Sequence, residues 1–97
     1  MLTSEKEMEL IQEFIPEFQI PPYVTEKEIK NYAVEGQAYL EGQVPSANFV
    51  ADPTARMLLK NYMYYAYNHA VAEYLQNYEV AIRTWQMNVP IVIDQPE

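Results

Sequence analysis

The chain has 97 residues, 14 acidic and 6 basic, for a formal net charge of −8. That length supports one domain and leaves no room for a second core. A hydrophobic share of 49% excludes wholesale disorder. Lys6, Lys27, Lys30, Arg56, Lys60 and Arg83 are scattered among carboxylates, which disfavours grip on DNA or RNA, because such grip needs clustered cations that displace counterions.

The first residues, Met1-Leu2-Thr3-Ser4-Glu5, show no basic segment followed by an apolar run, so no signal peptide is expected. Ser4 and Glu7 have the spacing of a capping box and open a first helix over residues 4–15. Met8, Ile11, Phe14 and Ile15 fall on its apolar face, and Glu5, Glu9 and Glu13 form a solvated row. Pro16 closes it, since the residue before a proline avoids helical geometry. The stretch from Pro16 to Val24 reads as an extended linker stiffened by Pro21-Pro22, which Phe18, Ile20 and Tyr23 can pin to the core.

Thr25 and Glu28 make a second capping box, with Val24 and Ile29 placed as a hydrophobic staple. The helix they open runs over residues 25–41, with Gly42 as its natural stop. Its apolar face is Ile29, Tyr32, Ala33, Gly36, Tyr39 and Leu40. Gly36 costs about 1 kcal/mol against Ala inside a helix, and its compensation is close approach of another helix. Residues 43–51 form a loop that Val44, Phe49 and Val50 can anchor.

Asp52-Pro53 then gives the strongest start signal: an N-capping carboxylate followed by a proline at the first helical position. No Gly or Pro follows until Pro90, so one helix over residues 53–87 is predicted, about 50 Å long. A domain of this size has a radius of gyration of about 12–13 Å, so that helix should overhang it. Ala55, Leu58, Tyr62, Tyr65, Ala66, His69 and Ala72 cluster on one side. On another, Tyr64, Val71, Tyr78 and Trp85 recur every seven residues, with Tyr67, Tyr74 and Ala81 between. A helix apolar on two faces is buried between layers. One layer is the first two helices; the second is either those helices wrapping round or another copy of the chain. The candidate subunit interface is therefore Tyr64, Tyr67, Val71, Tyr74, Tyr78 and Trp85, joined by Ile91 and Ile93 from an extended arm over residues 89–97. The run Ile91-Val92-Ile93 suits either an edge strand or a docking arm. The expected fold is all-α: two short N-terminal helices on one long C-terminal helix, then the arm.

No catalytic set assembles from these residues. His69 is the sole histidine, and with Glu73 at i,i+4 it supplies two metal ligands, too few for a site. The two glycines, Gly36 and Gly42, make no phosphate loop. Cysteine is absent, removing disulfides and thiolate metal sites. No apolar run approaches the ~20 residues that span a bilayer. An enzyme, a bound cofactor and a metal are all unexpected. Nine Tyr, five Met, three Phe and one Trp dominate the apolar supply, and phenol rings with polar tips suit partly wet interfaces.

Thr25-Glu26-Lys27-Glu28-Ile29 with Ala33, followed by Ala55, Leu58, Leu59, Tyr62, Asn68, Ala72 and Tyr78 after an Asp-Pro-x-Ala opening, resembles the small all-helical head–tail connector (head-completion adaptor) proteins of tailed bacteriophages. The likeness covers nearly the whole chain and rests on packing positions. It implies a virion protein forming a ring, commonly twelve-fold, docked below a portal protein. Such a ring extends the DNA channel, lets DNA pass without specific binding, and presents a surface to a downstream stopper or tail-completion protein. The alternative is an acidic helical interaction module acting as a regulator.

Overall fold

The structure, a computed structural model, describes residues 1–89. Among them are five helices and no strand: α1 (Ser4–Glu17), α2 (Glu26–Gln43), α3 (Pro53–Tyr67), α4 (Val71–Asn77) and α5 (Glu79–Asn88). The all-α expectation holds. The single long helix does not, because residues 53–87 are divided at Asn68–Ala70 and again at Tyr78. The arm expected over residues 89–97 lies, beyond Val89, outside the described residues.

The first division has a clear local mechanism. Asn68 caps α3, His69 takes a left-handed φ of 58°, and the chain turns back. His69 N–H donates to the Ala66 carbonyl (3.0 Å) and Ala70 N–H to the Tyr65 carbonyl (2.8 Å). These are the paired bonds of a Schellman stop, with histidine where glycine is usual. A left-handed L-residue costs roughly 1–2 kcal/mol. In return the reversed chain buries Tyr74, Ile82 and Trp85, each worth about 1.5–3 kcal/mol. Burial outweighs the local cost, which is why a sequence free of Gly and Pro still bends here. At Tyr78 the interruption is slight: Tyr78 N–H still reaches the Tyr74 carbonyl (2.9 Å) and Ile82 N–H reaches that of Tyr78 (2.8 Å).

The returning segment runs antiparallel to α3. Tyr74 Oη donates to the Leu58 carbonyl (2.9 Å), and further along Trp85 Nε1 donates to Asp52 Oδ2 (3.0 Å). The other carboxylate oxygen of Asp52 caps α3 by accepting from Thr54 N–H (2.9 Å). One side chain thus fixes the start of α3 and the docking of α5.

On the other side α3 packs on α2. An added Cβ at Gly36 would lie 2.8 Å from Leu59 Cδ1 and 2.9 Å from Tyr62 Cδ1, so the close approach expected at Gly36 is present. Gly42 does not stop α2, which continues to Gln43 and is capped at Val44. Thr25 caps α2 through Glu28 N–H (3.2 Å), but the Glu28 carboxylate accepts from Tyr32 Oη (2.7 Å).

α1 differs from expectation at both ends. Its cap is Thr3, whose hydroxyl accepts from Lys6 N–H (3.2 Å), and not Ser4. Glu7 turns inward, where Gln37 Nε2 donates to its carboxylate (3.0 Å) and to the Ala33 carbonyl (3.2 Å). Gln37 Oε1 accepts from Leu2 N–H (2.7 Å), so this buried amide is bonded at both ends. Pro16 lies inside the last turn of α1. Just beyond it a second Schellman stop, with Gln19 at φ 55°, ends the helix with Ile20 N–H on the Ile15 carbonyl (2.9 Å). Phe18 stacks on Phe14 at 4.8 Å between centroids, and Ile20 is buried, whereas Tyr23 is exposed and outside the core. In the loop, Val44 and Phe49 are buried but Val50 is exposed. The Asn48 side chain holds that turn by accepting from Val50 and Ala51 N–H groups, both at 3.0 Å.

The result is a thin slab with extents of 51 × 31 × 18 Å. No helix among the described residues is long and apolar enough to cross a membrane.

Candidate interaction surface

The expected seam is divided by the turn at His69. Tyr74 is completely buried and Trp85 is 3% exposed. Both belong to the chain's own core and are corrected out of the interface, because folding back gives them partners on α3 and its cap. Tyr67, Val71 and Tyr78 are half-buried against that core, and Tyr64 is exposed. Ile91 and Ile93 lie outside the described residues.

What remains uncovered includes residues the heptad pattern did not select. Val80 (70% exposed) and Met87 (80%) stand one heptad apart on α5, with Met57 on α3 and Leu75 on α4 also exposed. The spacing of Val80 and Met87 was visible in the sequence. Its meaning was hidden by the assumption of a continuous helix, which placed the candidate subunit interface on Tyr64 and its followers.

The aromatic residues form two rows. Phe14, Phe18, Tyr64 and Tyr67 follow one another with centroid separations of 4.8, 5.1 and 6.4 Å. The second row is built around Tyr74, which contacts Tyr62 (5.1 Å), Tyr65 (5.7 Å) and Tyr78 (4.6 Å), with Tyr39 beyond at 6.5 Å. Burial first, then neighbouring phenols, pushes the Tyr74 hydroxyl well above its ordinary range. The Tyr32 hydroxyl is pushed up to about 12, chiefly by its bond to the Glu28 carboxylate.

Where the rows face each other, Phe18 and Tyr64 on one side and Tyr65 and Tyr78 on the other wall an open cup of about 440 Å³. Asn61, Asn68 and Glu73 complete its lining, with Ala70 at the turn. A wider groove of about 700 Å³ lies beside Trp85 and Asp52.

The surface charge is unevenly neutralised. Lys6 pairs with Glu9, Arg56 with Glu13, Lys60 with Glu13 and Glu17, and Arg83 with Glu79. Arg56 first, then Lys60, lowers the Glu13 carboxyl below its usual value. The Arg56 and Lys60 pairs join α3 to α1, whereas the Lys6 and Arg83 pairs lie within α1 and α5.

His69 is exposed and sits in the turn, while Glu73 is on α4. The shared helical face that would have made them i,i+4 ligands is absent. No group of three or more His, Cys, Asp or Glu suited to a metal occurs among the described residues. Comparison with family models, with curated proteins and with solved structures gave no match.

Proposed function

We propose that this chain is a structural assembly protein, a subunit of a head–tail connector ring in the virion of a tailed bacteriophage. In this reading it docks below a portal protein, extends the DNA channel and receives a downstream stopper or tail-completion protein. The observation that carries the proposal is apolar surface left over after folding. Tyr64, Leu75, Val80 and Met87 remain exposed on helices of a slab 18 Å thick. Rings are built by repeating such incompletely covered faces between copies. The acidic balance of −8 suits a conduit along which DNA slides without being held. The likeness of the capped α2 and the Asp-Pro-x-Ala opening of α3 to connector proteins supplies the identity of the ring.

Native mass spectrometry of the protein, alone and mixed with the portal protein encoded beside it, tests this. A ring-sized species in either sample is expected. A monomer that persists with the portal present contradicts the proposal. It would favour the second reading, an acidic interaction module acting as a regulator, for which the aromatic cup between α3 and α4 speaks.

A further inference from the structure

The cup walled by Phe18, Tyr64, Tyr65 and Tyr78 has an unusual balance of polar atoms. Asn61 Nδ2 donates to the Met57 carbonyl (2.9 Å) and Asn68 Nδ2 donates to the Tyr64 carbonyl (2.9 Å). Each amide nitrogen is therefore held on the backbone of its own helix, and each Oδ1 is left as the atom in need of a donor. Glu73 adds a carboxylate to the same lining. Among the described residues its carboxylate makes no ion pair. The chain's own arginines are engaged elsewhere: Arg56 with Glu13 and the Phe49 carbonyl, Arg83 with Glu79. The cup thus offers aromatic faces, amide oxygens and a negative charge, beside the phenol hydroxyls and the second N–H of each amide.

We propose that this cup is a binding site for an arginine side chain presented by a partner protein. A guanidinium carries five N–H donors and no acceptor, and it is planar and weakly hydrated, so it stacks on rings while its edge reaches carboxylate and amide oxygens. Aromatic faces attract such a cation through their quadrupole. A lysine ammonium would satisfy the charge but would stack less well and hold its water more tightly. A neutral group would leave the Glu73 charge uncompensated, and an anionic one would be repelled by it. Charge complementarity extends beyond the cup, since a basic segment would approach a chain of net charge −8. The inference concerns one side chain and does not depend on whether the chain forms a ring.

The test uses the full chain with ring-labelled tyrosines and two blocked tripeptides, Gly-Arg-Gly and its neutral isostere Gly-citrulline-Gly, followed by NMR. The arginine peptide is expected to shift the Tyr64, Tyr65 and Tyr78 ring signals saturably, at millimolar concentration. The citrulline peptide should bind at least about threefold more weakly, and Tyr64→Ala and Glu73→Gln should each weaken the arginine peptide by about three- to fivefold. Both positions are exposed, so the variants keep the fold, and unchanged ring signals from Tyr74 check this. Equal binding of the two peptides, shifts confined to another face, or binding unaffected by both variants overturns the proposal. A dilution series without peptide gives a further outcome. If the same ring signals move with protein concentration and Arg83→Gln abolishes the movement, the occupant is a second copy, and the assignment to a different partner is wrong.

Discussion

Replacing Gly36 by Ala pits two opposed effects against each other at one position. Helix propensity favours alanine by about 1 kcal/mol in a helix interior. Packing opposes it: the new Cβ would stand 2.8 Å from Leu59 Cδ1, 2.9 Å from Tyr62 Cδ1 and 3.3 Å from Tyr62 Cγ. Carbon atoms prefer about 3.5–4.0 Å, so two contacts are short by well over half an ångström. Leu59 is fully buried and Tyr62 nearly so, and neither can swing into solvent. Tyr62 is further held at 5.1 Å from Tyr74 and 5.9 Å from Tyr39. Overpacking of this kind costs typically about 1–3 kcal/mol. The sum is a net loss of about 1 kcal/mol, or a fall in Tm of roughly 4–8 °C for a domain of this size. Gly42 supplies the control on the same helix, because nothing lies within 4 Å of its added Cβ. Gly42→Ala should therefore raise stability by about 0.5 kcal/mol. Thermal and urea unfolding of the two variants beside the parent decides the matter. If Gly36→Ala matches or exceeds the parent in stability, the close α2–α3 approach is wrong.

The remaining predictions address the turn, the buried amide and alkaline pH. His69→Gly relieves a left-handed residue worth roughly 1–2 kcal/mol and loses about 0.4–1 kcal/mol through the freer unfolded chain; a net gain of about 0.5–1 kcal/mol should appear in urea unfolding, and a loss would mean position 69 is not left-handed. Gln37→Leu removes the donor to the buried Glu7 carboxylate and the acceptor of Leu2 N–H. About 2–3 kcal/mol should be lost, and a change below about 0.5 kcal/mol would show that the network does not form. Tyr32, Tyr62, Tyr74 and Tyr78 all have folded pKa values raised above the ordinary 10.0. The fold then holds those protons more tightly than the unfolded chain does, so the stability this contributes is complete below pH 10 and is lost as pH climbs through the folded values, which for Tyr32 lie at about 12. Urea midpoints should fall steadily across that range, and a constant midpoint would contradict the burial of the tyrosine row.

Much of the helical framework was legible because its signals are local. The Thr25 and Asp52 caps and Pro53 at the first position of α3 depend on neighbours within one turn, and the structure keeps each of them. Gly36 was readable because a glycine inside a strong helix needs a reason, and the reason is Leu59 and Tyr62. The turn at His69 was not readable. No residue near it forbids a helix, and its cause is the burial of Tyr74, Ile82 and Trp85 some distance along the chain. Glu7 was hidden for a similar reason. Its S-x-x-E spacing suggested a reciprocal cap, while its real partner, Gln37, lies 30 residues away. The cup was invisible as a unit, since it draws Phe18 from the end of α1 and Tyr78 from the far side of the turn.

The bond from Trp85 to Asp52 also makes this chain its own spectroscopic reporter. Trp85 is the sole tryptophan beside nine tyrosines, and it sits on the segment whose docking reverses the chain. Light absorbed by the phenols can pass to the indole while α5 lies against α3, and the transfer declines as the two separate. Tyrosine emission that rises before tryptophan emission shifts would mark α5 peeling away from an intact α1–α3 core. Simultaneous change would mark a single cooperative unit. The order of events in unfolding, or on joining a larger assembly, can be followed without any added label.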